Sequence, residues 1–168
     1  MTTLRIALLQ LAFNGEPQAK GERYCREAKA AGADIALFPE MWNIGYRFPD
    51  VGSDHSRWAE QAVSAGGEFV QHFADLAREL NMAIGITYLE RGDAAPRDVV
   101  SLIDRTGETL FTYAKVHTCD FDEEPCHPGR SVRGGNPRHR RRTGRRRGDD
   151  LLRPRVPRER PRPDAPRR

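Results

Sequence analysis

At 168 residues the chain can form one domain of ordinary size with a substantial core. Its net charge of +4 conceals two unlike parts: residues 1–129 hold 12 Lys and Arg against 20 Asp and Glu, a net −8, whereas residues 130–168 hold 16 Arg, no Lys and 4 acids, a net +12. No apolar run approaches the roughly 18 residues of a membrane span, the N-terminus lacks a basic region followed by an apolar signal core, and three cysteines (Cys25, Cys119, Cys126) are too few and odd in number for a disulfide framework. No membrane partner is expected, the thiols read as reduced, and the cytoplasm is the expected compartment.

Residues 4–10 are nearly all apolar, which suits an interior strand covered on both faces. Asn14-Gly15-Glu16-Pro17 reads as a turn. Residues 18–31 favour helix, with Tyr24, Cys25, Ala28 and Ala31 on one side and Gly32 where a C-terminal cap belongs. A second strand over residues 34–38 follows after a short connection, so a right-handed crossover and parallel pairing are expected. The next loop carries Trp42, Tyr46, Phe48 and Trp58 among Gly, Pro and Asp. Gly66-Gly67 opens a second helix whose Phe69, Phe73, Leu76, Ala77 and Leu80 make one apolar stripe ending near Asn81. Residues 82–89 read as a buried strand. Residues 98–104 and 109–115 flank Arg105-Thr106-Gly107-Glu108 as a hairpin at the sheet edge. The order β-α-β-α-β-β-β gives an α/β fold class.

Two strand ends carry opposite charges. In Ile35-Ala36-Leu37-Phe38-Pro39-Glu40 the proline has no N–H for a sheet ladder, so the strand stops there and Glu40 falls at the rim. Tyr113-Ala114-Lys115-Val116-His117 ends an alternating strand and sets Lys115 at its tip. Taken singly, each is an ordinary solvated charge. Together with Met41-Trp42-Asn43-Ile44-Gly45-Tyr46 after the first motif, and Glu124 followed by Pro128-Gly129 after the second, they resemble the nitrilase (carbon–nitrogen hydrolase) superfamily in order and spacing. The resemblance covers residues 4 to about 130.

It implies the first half of an αββα sandwich and hydrolysis of a small amide, carbamoyl or nitrile group through a cysteine thioester, with no metal or organic cofactor. Glu40 would be the general base, Lys115 the cation facing the developing oxyanion, and Glu124 the second carboxylate, with Glu123 the alternative. Trp42 and Tyr46 would wall the substrate pocket; their other reading is packing under a long loop. The family's nucleophilic cysteine, on a strand-to-helix turn well past the lysine, is not found, and no nucleophile is identified. Cys119 and Cys126 read as inert thiols, because neither precedes a helix whose N-terminus would lower its pKa. His117, Cys119, Cys126 and His127 can be drawn as a zinc site, but their gaps match no recognised finger, so no metal is expected. Relatives commonly assemble, which leaves a homo-oligomer open.

Residues 1–130 thus read as a partial hydrolase domain and residues 131–168 as a disordered basic tail. From Ser131 on there is no aromatic residue and only Val132, Leu151, Leu152, Val156 and Ala165 are apolar, too little to offset ordering entropy. Arg, Pro, Gly and Ala make up 27 of the last 39 residues, all types with GC-rich codons, and a shifted reading frame starting past Gly129 is the leading explanation. A functional tail that binds nucleic acid or another polyanion is the second; a solvated tail with no role is the third.

Overall fold

The structure, a computed structural model, describes residues 3–50, 52–118, 126, 129 and 132–134. Its elements in chain order are β1 (Ile6–Leu8), α1 (Pro17–Ala30), β2 (Ile35–Leu37), α2 (Ser56–Ala59), α3 (Glu68–Leu80), β3 (Ala83–Glu90), β4 (Arg97–Ile103), β5 (Thr109–Ala114) and β6 (Val132–Gly134). They form one six-stranded sheet in the order β1-β2-β3-β4-β5-β6, parallel from β1 to β3 and antiparallel from β3 to β6. The helix boundaries follow local chemistry. Pro17 opens α1, where its missing N–H costs nothing. Gly32, at φ 83°, and Asn81, at φ 47°, take the left-handed conformation that ends α1 and α3. No helix among the described residues is long and apolar enough to cross a membrane.

Strand alternation sends successive side chains to opposite faces. One face carries Ala36, Ile84, Ile86, Tyr88, Val99, Ile103 and Ala114, which pack with Cys25 and Ala28 of α1 and Phe73, Leu76 and Ala77 of α3. Gly21 lets this layer close: a Cβ there would sit 2.8 Å from Phe73 Cζ and 2.9 Å from Phe38 Cε1. The same face buries a polar chain in which the Tyr88, Ser101 and Thr112 hydroxyls are linked at 2.9 and 2.7 Å, so none is left unpaired. On the opposite face, a smaller cluster of Met41, Ile44, Trp58, Ala62, Leu89 and Cys126 covers the end of β3. No described element packs over the rest of that face, where Ile6, Leu8, Leu37 and Tyr113 are exposed.

Three features differ from the sequence expectation. β1 is an edge strand, not an interior one, and its outward Ile6 and Leu8 are 52% and 64% exposed because no described element packs over them. The β4–β5 hairpin is not at the edge: β6 pairs with β5 through Tyr113↔Val132 and Phe111↔Gly134. β6 lies within the stretch expected to be disordered; ladder hydrogen bonds are main-chain bonds and need no apolar side chain. Ala31, placed on the packed side of α1, is exposed. Residues 135–168 lie outside the described residues.

Candidate functional site

Glu40 is delivered by an abrupt turn. β2 ends at Leu37, Phe38 N–H still donates to Gly85 O at 3.0 Å, and Pro39 stops the ladder. Met41 then adopts φ 50°, an uncommon conformation for a side chain of its size, and its carbonyl accepts from Ile44 N–H at 3.0 Å and Gly45 N–H at 2.8 Å. Thr87, from the middle of β3, clamps this turn on both sides of Glu40. Its hydroxyl donates to Pro39 O and accepts from Trp42 N–H at 3.3 Å.

Lys115 arrives from β5 and is fixed through its backbone. Its N–H donates to Asp98 O at 2.9 Å, and its carbonyl accepts from Gly129 N–H at 2.7 Å. Gly129 has to be glycine for this approach, because a Cβ at that position would collide with the Ala114 carbonyl. The Lys115 ammonium donates to Glu40 Oε1 at 2.7 Å, joining residues 75 positions apart, and lies 4.0 Å from Asp98 Oδ2. The side chains of Lys115 and Glu40 are 28% and 42% exposed, whereas that of Asp98 is 7% exposed.

These groups border a cavity of about 310 Å³ on the open face of the sheet, with Leu37, Thr87, Val100 and Tyr113 among its walls. The space suits a small molecule, and its charged groups are two carboxylates, Glu40, which can take a proton, and the buried Asp98, with the Lys115 ammonium, which can face a developing negative charge. A partly exposed ion pair adds little to stability. Its interest is chemical.

The structure brings Glu40 and Lys115 together. It does not bring Trp42 or Tyr46 to that cavity. Trp42 is 1% exposed in the helix-side core, its indole N–H donating to Pro17 O at 2.9 Å, and it packs edge-on with Phe13. Tyr46 is 42% exposed and packs edge-on with Phe48. Glu124 and Glu123 lie outside the described residues, as do Cys119 and His127. Cys25 sits in the helix-side core, and burial pushes its thiol up to about 12, with Arg26 opposing and Glu22 reinforcing the shift. Cys126 is 4% exposed in the smaller cluster with Met41 and Leu89. Among the described residues, no three His, Cys, Asp or Glu are placed to hold a metal ion.

Sequence reasoning missed Thr87, Asp98 and Tyr113. Thr87 carries no local signal, since a threonine in a buried strand is unremarkable until its cross-strand neighbours are known. Asp98 was visible only as the first residue of a hairpin strand.

A family model for carbon–nitrogen hydrolase matches residues 5–144. Among curated proteins, the chain is similar to the bromoxynil-specific nitrilase of Klebsiella pneumoniae subsp. ozaenae, 30% identical over 58% of this chain and 30% of the relative. It is also similar to the N-carbamoylputrescine amidase of Arabidopsis thaliana, 29% identical over 61% of this chain and 33% of the relative. Among solved structures, an amidase from Nesterenkonia sp. superimposes with a TM-score of 0.60 at 25% identity, covering 76% of this chain and 49% of that one. The chain therefore spans about half or less of the length of the proteins it matches.

Proposed function

Because this chain belongs to the carbon–nitrogen hydrolase family, we propose that its cavity is the acid–base half of a site that hydrolyses a small amide, carbamoyl or nitrile group. The observation that carries this reading is the 2.7 Å contact between Lys115 Nζ and Glu40 Oε1 at a cavity of small-molecule size. Glu40 takes the proton of an attacking thiol and later activates water. Lys115 holds positive charge against the oxyanion of the tetrahedral species. Glu124 is the second carboxylate, orienting Lys115 and substrate, and the Trp42 main chain, bonded to Thr87, holds the turn that follows Glu40. No cofactor takes part. The names of similar proteins, a nitrilase, an N-carbamoylputrescine amidase and an amidase, support this range of substrates.

No nucleophile is identified: among the described residues Cys25 lies in the helix-side core and Cys126 in the smaller cluster. With Cys119 read as an inert thiol, we propose that the 168-residue chain lacks its attacking cysteine and is inactive. Without the thiol the thioester cannot form, and the rate loss should span several orders of magnitude. The test begins with the gene: all three frames are translated beyond the codon for Gly129. The expected result is a frame continuing with an apolar strand, a cysteine on a turn and a helix. The chain restored in that frame should release ammonia from small amides and lose that activity in Glu40→Gln, while the 168-residue chain shows none. Turnover by the 168-residue chain, or a restored chain indifferent to Glu40→Gln, overturns the reading.

The 16 arginines of residues 130–168 favour one second reading, polyanion binding through an authentic tail. That reading requires nucleic-acid binding that weakens steeply with salt and disappears when residues 131–168 are deleted.

A further inference from the structure

We propose that Asp98 is the positioning residue for Lys115, holding the ammonium between its own carboxylate and that of Glu40. The inference rests on the reading of Glu40 and Lys115 as the reactive pair.

The first support is register. Ile103 pairs with Thr109, but Leu102 pairs with Phe111, so Leu110 is an extra residue in β5 and the ladder shifts by one. Counted out from the hairpin loop without that bulge, Lys115 would stand opposite Arg97, a like charge. It would also turn toward the helix-side face, since Arg97 pairs with Glu90, in line with Ile84, Ile86 and Tyr88. With the bulge, Val99 faces Ala114 and Lys115 N–H reaches Asp98 O at 2.9 Å. Residues directly opposite in an antiparallel pair project from the same face. The bulge thus does two things: it swings Lys115 onto the face that holds the cavity, and it exchanges a repelling partner for an attracting one.

The second support is burial. Asp98 is the most buried of the three charged groups, 7% exposed against 28% for Lys115 and 42% for Glu40. A carboxylate taken out of water needs opposite charge nearby, and the Lys115 ammonium is 4.0 Å away. Glu40 is the more exposed partner, on a turn, and has to release its grip when it moves a proton. Asp98 is set in a strand between β3 and β5 and keeps its place. The ammonium has three protons to give; one goes to Glu40, and a fixed charge beneath it limits where the others point.

The experiment is competitive acylation of the full chain with a small anhydride at neutral pH, read by peptide mass spectrometry. The chain has only two other lysines, Lys20 and Lys29, which donate to the Ala12 and Asn81 carbonyls and serve as internal references. Only the uncharged amine reacts, so a nearby carboxylate slows labelling. In folded Asp98→Asn, Lys115 should label roughly three- to tenfold faster relative to Lys20 and Lys29, and Asp98→Glu should restore slow labelling. A role confined to strand geometry would not follow charge in this way. A folded Asp98→Asn chain with the parental ratio overturns the proposal. Should Asp98→Asn fail to fold, Glu40→Gln decides: Lys115 must still label more slowly than both references, and an equal rate overturns the proposal. The ratio reads the lysine and not turnover, so a failed hydrolysis assay with the expected labelling removes the functional reading and leaves the positioning role.

Discussion

The two faces of the sheet are built from alternate residues of the same strands and solve different problems. On the helix side, Ile84, Ile86, Tyr88 and Val99 meet α1 and α3 in a layer so tight that Gly21 leaves no room for a methyl group, and every polar atom of the Tyr88–Ser101–Thr112 chain is paired. On the other side Gly85, Thr87, Asp98, Tyr113 and Lys115 leave space, exposed apolar surface and charge. Stability is concentrated on the first face and the proposed chemistry on the second. One residue of slip would exchange the two, which is why the bulge at Leu110 matters more than its size suggests.

The two faces differ most in what their apolar side chains contribute to stability. Phe73→Ala, at a fully buried position between Phe38 and Phe69, should cost about 3–5 kcal/mol in urea unfolding. A smaller loss would mean that the helix layer is looser than its contacts show. The next effect depends on pH. The Cys25 thiol ionises near 9.0 when unfolded and near 12 when folded, so the unfolded chain gives up its proton first. Stability from this burial is complete below pH 9 and falls as pH rises toward 12, by about a few kcal/mol. Cys25→Ser should lack that alkaline decline relative to the parent. The smallest effect belongs to the open face: Leu37→Ala, at a residue 36% exposed, should cost less than about 1 kcal/mol. A loss as large as that of Phe73→Ala would show that the open face is covered in solution.

Much of this was legible in the sequence. The strand before Pro39, the apolar stripe of α3 and the alternation before Lys115 are local signals, and they placed Glu40 and Lys115 at strand ends that the structure joins. What was not legible depends on relations across strands. Asp98 becomes the partner of Lys115 only through a bulge that no local pattern announces. Thr87 matters only because β2 ends beside it. Trp42 shows the limit from the other side: an aromatic after the glutamate suits a pocket wall or a core equally until its indole N–H is seen to reach Pro17. β1 looked interior because an all-apolar strand carries no mark of whether its second face is covered.

β3 also has a consequence in time. The β4–β5 hairpin closes across a short loop, with Asp104 Oδ1 gathering the Thr106 and Glu108 N–H groups, so Lys115 can be set in its register by nearby residues alone. Glu40 comes from the parallel half, whose pairing requires closure over the much longer stretch that includes α3. β3 is the strand at which these two halves meet, parallel on one side and antiparallel on the other. The Glu40–Lys115 contact can therefore form only in a chain whose halves have both docked on β3, and a probe of that one contact would register the moment at which the two halves join.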